Sequence, residues 1–389
     1  MKKHKHTLRK SPTAIIFWIL LIANITVAVP LFLSWCAGFI APSISGLAVC
    51  CGLGFLYLLV ANVVFVILWL PFRIHYCLIS LTLIFLNVNT IDKYYQMNGS
   101  EVPDNCPHTV KVMSYNAHLF GLYNDDDMQA RIRDKDKIFD FIRNVQPDIL
   151  CIQEYFMDKS ESLHFHTTDS LLAILKLEDI QNTHYLYFTD NNKHQYYYGL
   201  AIFSRFRIVD AGPILMDSSS NAAIYVDIKY RSDTFRIYNL HLTSLRMDAV
   251  DYSVGEQIVN NHFDDPKIDK NIKKLYQKII SSARRRQIQT QIIRQHMDDC
   301  PYAMIVCGDF NEPPAGYAYN VLSKKLKDTF RESGKGFSYT YHGINMPHYR
   351  IDYIFHDKKY NSFGHTVGDS VNVSDHYPIY ATISLQKKS

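Results

Sequence analysis

Asp309 and Asn311 stand two residues apart at the end of an apolar run, in "IVCGDFNEPP" (Ile305–Pro314). Side chains alternate between the two faces of a strand, so this spacing sends both polar groups the same way while Phe310 packs on the other face. The "EPP" behind them turns the chain aside and leaves the pair at an open rim. The same arrangement recurs along the chain. Strand-like apolar runs end in Asn116, Glu154, His241, Asp352 and the pair Asp375–His376. Glu154 and Asn116 carry hard oxygen ligands of the kind Mg2+ takes, one or two carboxylates beside several waters. Imidazoles such as His241 and His376 meet the charge of a phosphate or pass a proton. An aspartate beside an asparagine activates and aims a water. The set fits metal-assisted hydrolysis of a phosphoester.

The elements that must carry these groups are legible from residue 109 onward. "TVKVMSYNAHLF" opens as an apolar alternation and breaks at Asn116. "KIFDFIRNVQPDILCIQEYF" reads as a helix, a turn at Pro147 and a buried strand ending at Glu154. "AAIYVDIKYRSDTFRIYNLHLTS" reads as two strands joined by a short turn, the second ending at His241. A helical stretch covers about Ile268 to His296, and the strands "YAMIVCGDFN", "RIDYIFHD" and "SDHYPIYATISL" follow.

Each assignment has a plainer structural competitor. Asn116 would serve as a turn cap, Asp352 as an ion-pair partner of Arg350, and Asp375 as a helix cap. His118 and His342 read as surface residues. Arg205 faces a phosphate or caps a strand end. Arg284, Arg285 and Arg286 read as a solvated helix face, and Tyr196–Tyr198 as strand packing.

The ordered series "SYNAHLF", "PDILCIQE", "GLAIFSR", "NLHLTS", "GDFNEPP", "RIDYIF" and "SDHYPI" resembles the endonuclease/exonuclease/phosphatase superfamily over about residues 109–386. That group includes pancreatic-type deoxyribonucleases, abasic-site nucleases, inositol-polyphosphate phosphatases and neutral sphingomyelinases. The resemblance implies an α/β fold, a four-layered sandwich of two packed, mostly antiparallel sheets with helices outside. It implies metal ligation by Glu154 with Asn116 and Asp375, Mg2+ being the expected ion and Mn2+ the alternative. His241 matches the histidine that binds the scissile phosphate. Asp309 matches the residue that activates water or orients the site, and Asn311 its positioning partner. Asp352 matches the acid of a "DY" motif. Asp375 and His376 match a terminal pair in which the aspartate orients or helps charge the histidine. Either Asp309 or His376 takes the water's proton.

The remaining composition bounds the setting. No Asp, Glu, Lys or Arg lies between Lys10 and Arg73, and bilayer-spanning helices need about 20 apolar residues each. Three spans are expected, about Ala14–Trp35, Ile44–Leu70 and Ile74–Ile91, giving a membrane domain over 1–93. Residues 94–108 read as a polar linker and 109–389 as the catalytic domain. Lys2, Lys3, Lys5, Arg9 and Lys10 hold the N-terminus in the cytoplasm. Three spans then put the catalytic domain on the non-cytoplasmic side of a multi-pass protein, whereas two would return it to the cytoplasm. Residues 1–100 hold seven of the chain's 41 basic residues and one of its 37 acids, which leaves 34 against 36 in the remainder. That balance lacks the positive charge that long polyanions attract. The eight cysteines show no disulfide framework and no metal-type spacing. The expected substrates are phospholipid or sphingolipid head groups, with DNA or RNA as the alternative. A non-catalytic membrane module is the reading the intact residue set argues against. An insertion after His241, around Val250–Asp264, is expected to act as a lid or membrane-facing element.

Overall fold

The computed structural model describes residues 12–97, 99–104, 106–158, 163, 165–177, 184–189, 196–216, 222–245, 268–343 and 347–385. The insertion expected over Val250–Asp264 lies outside them. The described helices are α1 (Pro12–Ala37), α2 (Gly46–Leu53), α3 (Phe55–Trp69), α4 (Cys77–Leu86), α5 (Val88–Ile91), α6 (Met128–Val145), α7 (Thr167–Leu175), α8 (Ile268–Asp298), α9 (Tyr317–Leu322) and α10 (Thr329–Ser333). The first strands are β1 (Tyr95–Gln96), β2 (Thr109–Asn116), β3 (Ile149–Asp158), β4 (His184–Thr189), β5 (Tyr196–Ser204), β6 (Ile208–Ile214) and β7 (Ala222–Tyr230). They are followed by β8 (Asp233–His241), β9 (Ala303–Asp309), β10 (Leu326–Asp328), β11 (Gly336–Phe337), β12 (Asp352–Asp357), β13 (Asn361–Val367) and β14 (Ile379–Ser384).

Two six-stranded sheets form the centre, in the orders β10-β12-β9-β8-β7-β6 and β13-β14-β2-β3-β5-β4. Val112, Ile149, Cys151 and Ile202 of one sheet meet Val226, Ile237, Ile305 and Cys307 of the other in a dry central layer. A second core lies beneath α6 and α7, and a third where α8 and α9 cover the other sheet. The expected four-layered α/β sandwich is therefore present. Adjacent strands are antiparallel except for two pairs, β2 with β3 and β8 with β9. A parallel pair needs a long crossover, and α6 and α8 supply the helices for the two. Asp127 starts α6 by accepting the Ala130 N–H at 3.0 Å, and left-handed Gln146 ends it. The two parallel pairs matter because all four strands run toward the same rim.

The N-terminal helices have an inverted polarity. Ile19, Ile22, Val60 and Phe85 are exposed, while Asn24, Asn62 and Ser80 are fully buried. Asn24 donates to Ser80 Oγ at 2.8 Å, Ser80 donates to Asn62 Oδ1 at 2.9 Å, and Trp69 Nε1 donates to Asn24 Oδ1 at 3.0 Å. This chain of bonds ties α1, α3 and α4 together. α1 is long and apolar enough to cross a membrane, whereas α2 and α3 pass that test only as one pair bent by 74°. The expected second span is thus bent at Gly54, and the expected third is divided. A 3-10 turn over Ile74–Tyr76 leads into ten-residue α4, which stops at Asn87.

The expected linker is ordered where it begins. Tyr94 is buried, and Tyr95–Gln96 pairs antiparallel with Gly336–Phe337. The Ser100 carbonyl accepts the Gly364 N–H at 2.6 Å. The segment is polar in composition, yet several of its backbone groups bond to residues of the sandwich, Ser100 to Ser333 and Gly364 and the His108 carbonyl to Leu385.

Glu332 on α10 joins the edges of both sheets. Its carboxylate accepts from Lys327 Nζ at 2.7 Å and from the Ser362 N–H at 2.7 Å, and lies 2.8 Å from His356 Nε2. Burial works to raise its pKa, but these bonds, that of His356 foremost, outweigh it and hold it at about 2. A carboxyl with a depressed folded pKa contributes stability above its ordinary value, and that stability is lost as pH falls toward the folded value. Glu332→Gln is expected to lower the melting temperature of the full chain by about 2–4 °C at pH 7. The gap from the parent should close as the pH is lowered from about 4.5 toward 2. Equal melting at pH 7 would refute the assignment.

Candidate active site

Asp309 ends β9 between two strands in register. His241 of parallel β8 lies opposite it on one side and Asp352 of antiparallel β12 on the other. This juxtaposition depends on Gly308, whose φ is +142° and where a Cβ would fall 2.0 Å from the Leu240 carbonyl oxygen. Only glycine lets β8 approach that closely. Asp309 is buried and well bonded. Its Oδ1 accepts the Asn311 N–H at 2.8 Å, and its Oδ2 accepts from Asn311 Nδ2 at 2.9 Å and Asn116 Nδ2 at 3.1 Å. The strand stops at Asp309, so strand alternation is not what brings Asn311 back. Asn311 has φ +52° and folds its amide onto Asp309 and the Leu242 carbonyl. Phe310 packs among Tyr353 and Phe355, as its place in the sequence implies.

Glu154 does not end its strand either. β3 runs on to Asp158, and the register slips between Ile152 and Tyr155. Glu154 sits in that bulge with φ +49°. A bulge re-aims a side chain, and here it turns Glu154 to the rim. Its Oε1 accepts from Asn116 Nδ2 at 3.2 Å and lies 3.7 Å from His241 Nε2. His241 Nε2 is also 3.6 Å from Asp309 Oδ2, so this ring stands between the two carboxylates.

Asn116, expected to join Glu154 as a ligand, stands between two carboxylates. Its Nδ2 bridges Glu154 and Asp309, and its Oδ1 accepts the His118 N–H at 3.2 Å. In this arrangement Asn116 is a donor that fixes two carboxylates. To offer an oxygen to a cation the amide would have to turn over and give up both bonds.

The terminal pair also divides differently. His376 Nδ1 lies 2.9 Å from Asp352 Oδ2, and its Nε2 lies 3.7 Å from Asp309 Oδ2. The residue that orients His376 is therefore Asp352, while Asp375 helps to charge the ring. Arg350, the plainer partner considered for Asp352, pairs instead with Asp328 at 2.6 Å. Burial opposes charge on His376, but the carboxylates of Asp352 and Asp309 prevail and push its pKa well above the ordinary histidine value. Burial pushes Asp309 up to about 6 against the pull of His376.

Asp375 faces His118, whose Nδ1 is 3.3 Å from Asp375 Oδ1 and 3.7 Å from Glu154 Oε2. Burial works to raise the Asp375 pKa, but the His118 bond and nearby His376 outweigh it and hold it at about 2. His118 is thus at the site rather than on an unrelated surface. It begins three successive left-handed residues, His118, Leu119 and Phe120, with φ of 43°, 53° and 60°. Runs of this kind cost free energy and gather at functional sites. The only sequence signal for it is its place two residues beyond Asn116.

Other candidates fall elsewhere. His342 is half-buried, stacks on Tyr377 at 4.0 Å and donates its backbone N–H to the Asp375 carbonyl. Arg205 binds Gln146 and Asp148 before the start of β3, at the opposite end from Glu154. Arg284 and Arg285 are exposed, but Arg286 is buried behind the rim and donates to the Thr243 carbonyl at 2.8 Å. Tyr196 and Tyr198 pack on Phe156, in keeping with a strand-packing role.

Four carboxylates, Glu154, Asp309, Asp352 and Asp375, thus converge with three imidazoles. Among the described residues their ion-pair partners are histidines alone, with no Lys or Arg. Such an excess of carboxylate fits a divalent cation. Glu154 and Asp375 are about a third exposed, which leaves room for the waters a hard cation keeps. Asp309, Asp352 and His376 also bring one ligand atom each within 4.8 Å of one another. That group is closed by the His376–Asp352 bond, so it is better suited to hold a proton than an ion.

The model of the family described as "Endonuclease/Exonuclease/phosphatase family" matches residues 113–376. The chain belongs to the endonuclease/exonuclease/phosphatase family, and is accordingly a metal-dependent phosphoester hydrolase. A second family, "Domain of unknown function (DUF8431)", matches residues 17–94. Among solved structures, the human Nocturnin catalytic domain with bound sulfate anion is 19% identical, with 71% of this chain and 94% of that one covered and a TM-score of 0.46. A family protein from Leptotrichia buccalis C-1013-b is 20% identical, with coverage of 72% and 100% and a TM-score of 0.45. One from Bacteroides vulgatus is 17% identical, with coverage of 72% and 99% and a TM-score of 0.47. No curated protein matches the chain.

Asp352→Asn removes the charge that holds the His376 proton. Hydrolysis is expected to fall by about 10²–10⁴-fold, and the His376 ring, followed by NMR, to titrate at lower pH than in the parent. An unmoved titration would refute the pairing.

Proposed function

We propose that this chain is a membrane-anchored, Mg2+-dependent phosphodiesterase that hydrolyses phospholipid or sphingolipid head groups. The observation that carries this reading is the place of the catalytic loop. Glu312, Pro313 and Gly316, directly after Asp309 and Asn311, line a small cavity shared with Ala37, Val49, Gly52 and Leu53 of the helix bundle. The bundle is apolar outside and hydrogen-bonded inside, the arrangement lipid favours. The basic N-terminus lies at one end of α1 and the catalytic loop packs beside the other, at Ala37, which agrees with a non-cytoplasmic catalytic domain. The slight acidic excess after residue 100 favours a lipid over a nucleic acid.

Glu154 and Asp375 are the residues that would hold the cation, Mg2+ or Mn2+. When bound, it supplies charge neutralisation at the phosphate oxygens. Asp309, with a pKa near 6, takes the proton of the attacking water, close to the ideal for a base at neutral pH. Asn311 and Asn116 hold that carboxylate still through their amide bonds. His376, already charged through Asp352, cannot accept the proton and instead faces the charge that develops on the phosphate. His241, between Glu154 and Asp309, binds the scissile phosphate.

The full chain in liposomes, with Mg2+, is expected to release head groups from labelled sphingomyelin or phosphatidylcholine and to leave plasmid DNA intact. Asp309→Ala should lower the rate by about 10³-fold. Cleavage of DNA with no action on lipid would overturn the lipid reading in favour of a nuclease. Glu154→Gln should weaken Mg2+ binding by about tenfold in calorimetry, since one of two rim carboxylates is lost. Unchanged affinity would contradict the assigned ligands.

A further inference from the structure

The exit from the helix bundle makes contacts that an anchor alone does not require. Lys93 and Tyr94 follow α5 and are both buried. Lys93 Nζ donates to Asn320 Oδ1 at 2.7 Å and to the Pro314 carbonyl at 3.4 Å. The Tyr94 hydroxyl accepts the Ala315 N–H at 3.4 Å, while its ring stacks on Phe55 of α3 at 5.2 Å. Both side chains therefore grip the loop that leaves Asp309 and Asn311.

Through its carbonyl, Lys93 also reaches the second catalytic loop. Arg350 has a fully buried side chain and donates Nη1 to the Lys93 carbonyl at 3.0 Å and Nη2 to Asp328 at 2.6 Å. Two residues later Asp352 holds His376. Tyr353 closes the circuit, its hydroxyl lying 2.8 Å from both the Glu312 and the Arg350 carbonyls. Outside this pair, Asp92 binds Arg331 at 2.6 Å, and β1 pairs with β11.

We propose that Lys93 and Tyr94 are positioning residues that make the helix bundle part of the catalytic architecture. They set the loop after Asp309 and, through Arg350, the strand start that carries Asp352. The bundle thereby holds the base and the charged histidine in their mutual register. This rests on the hydrolase reading of the site but not on the lipid as substrate.

The test uses the full chain in detergent micelles and a soluble probe, bis(p-nitrophenyl) phosphate, so that access to a bilayer plays no part. Lys93→Met and Tyr94→Phe are expected to lower kcat by about tenfold, because small displacements of catalytic groups are costly. KM for the probe and Mg2+ affinity should stay as in the parent. Gln287→Ala removes a different bundle contact, to the Ser43 N–H at 2.9 Å, and should leave kcat unchanged. In parallel, the His376 ring signal is recorded by NMR without substrate. It should shift in the Lys93 and Tyr94 variants and not in Gln287→Ala. A His376 signal unmoved in both variants would overturn the proposal, as would a parental kcat. Absence of turnover in the parent itself would sink the hydrolase reading while the NMR comparison still decides this one.

Discussion

The structure turns on one buried carboxylate held in the register of three strands. Asp309 faces His241 across β8 and Asp352 across β12, and both alignments fail if β8 cannot close on Gly308. Burial alone would discharge this aspartate. The imidazoles of His376 and His241 and the Asn311 N–H keep it poised near neutrality instead. A carboxyl in that state is costly to bury and useful to chemistry, which is a reason for such groups to sit at active sites.

The two parallel strand pairs explain how distant segments reach that carboxylate. β2 with β3 and β8 with β9 run to one rim of the sandwich, each pair joined across a helix. Asn116, Glu154, His241 and Asp309 arrive there from both sheets. The hydrogen bond from Asn116 to Asp309 crosses between the sheets, so the polar cluster closes the end of the apolar layer beneath it. Strain is concentrated at the same place, in the left-handed backbone of His118, Glu154 and Asn311. The surrounding packing holds these conformations against their local preference.

The helix bundle obeys different physics from the sandwich. Its polar groups are inside and its large apolar groups outside, the reverse of the arrangement in water. The two bodies nevertheless share buried side chains. Arg350 is neutralised by Asp328 and also satisfies a backbone carbonyl of the bundle's last turn, at Lys93. An uncompensated guanidinium there would be strongly unfavourable, so the junction is stiff for the same reason that it is buried.

By itself the sequence determined the layered fold, the family and the residues with chemical potential. Apolar runs beside Asn116, Glu154, His241, Asp309, Asp352 and His376 are local patterns that alternation reports directly, although only Asn116, His241 and Asp309 end their strands, while Glu154 lies inside β3, Asp352 opens β12 and His376 precedes β14. Tertiary structure decided who meets whom. That Asp352 is the hydrogen-bond partner of His376, that Asn116 bridges Glu154 and Asp309, that His118 belongs to the rim and that Arg286 is buried all depend on partners far away in the chain. The bulge at Glu154 leaves no mark in residue type, and the left-handed turn after Asn116 carries its glycine, Gly121, only at its far end, behind three residues that rarely adopt such backbone. The stretch from Tyr94 to His108 reads as a linker because its composition is polar, and Lys93 as the end of the membrane domain. Only the folded chain supplies the buried acceptors and cations that turn Lys93 and Tyr94 into a joint.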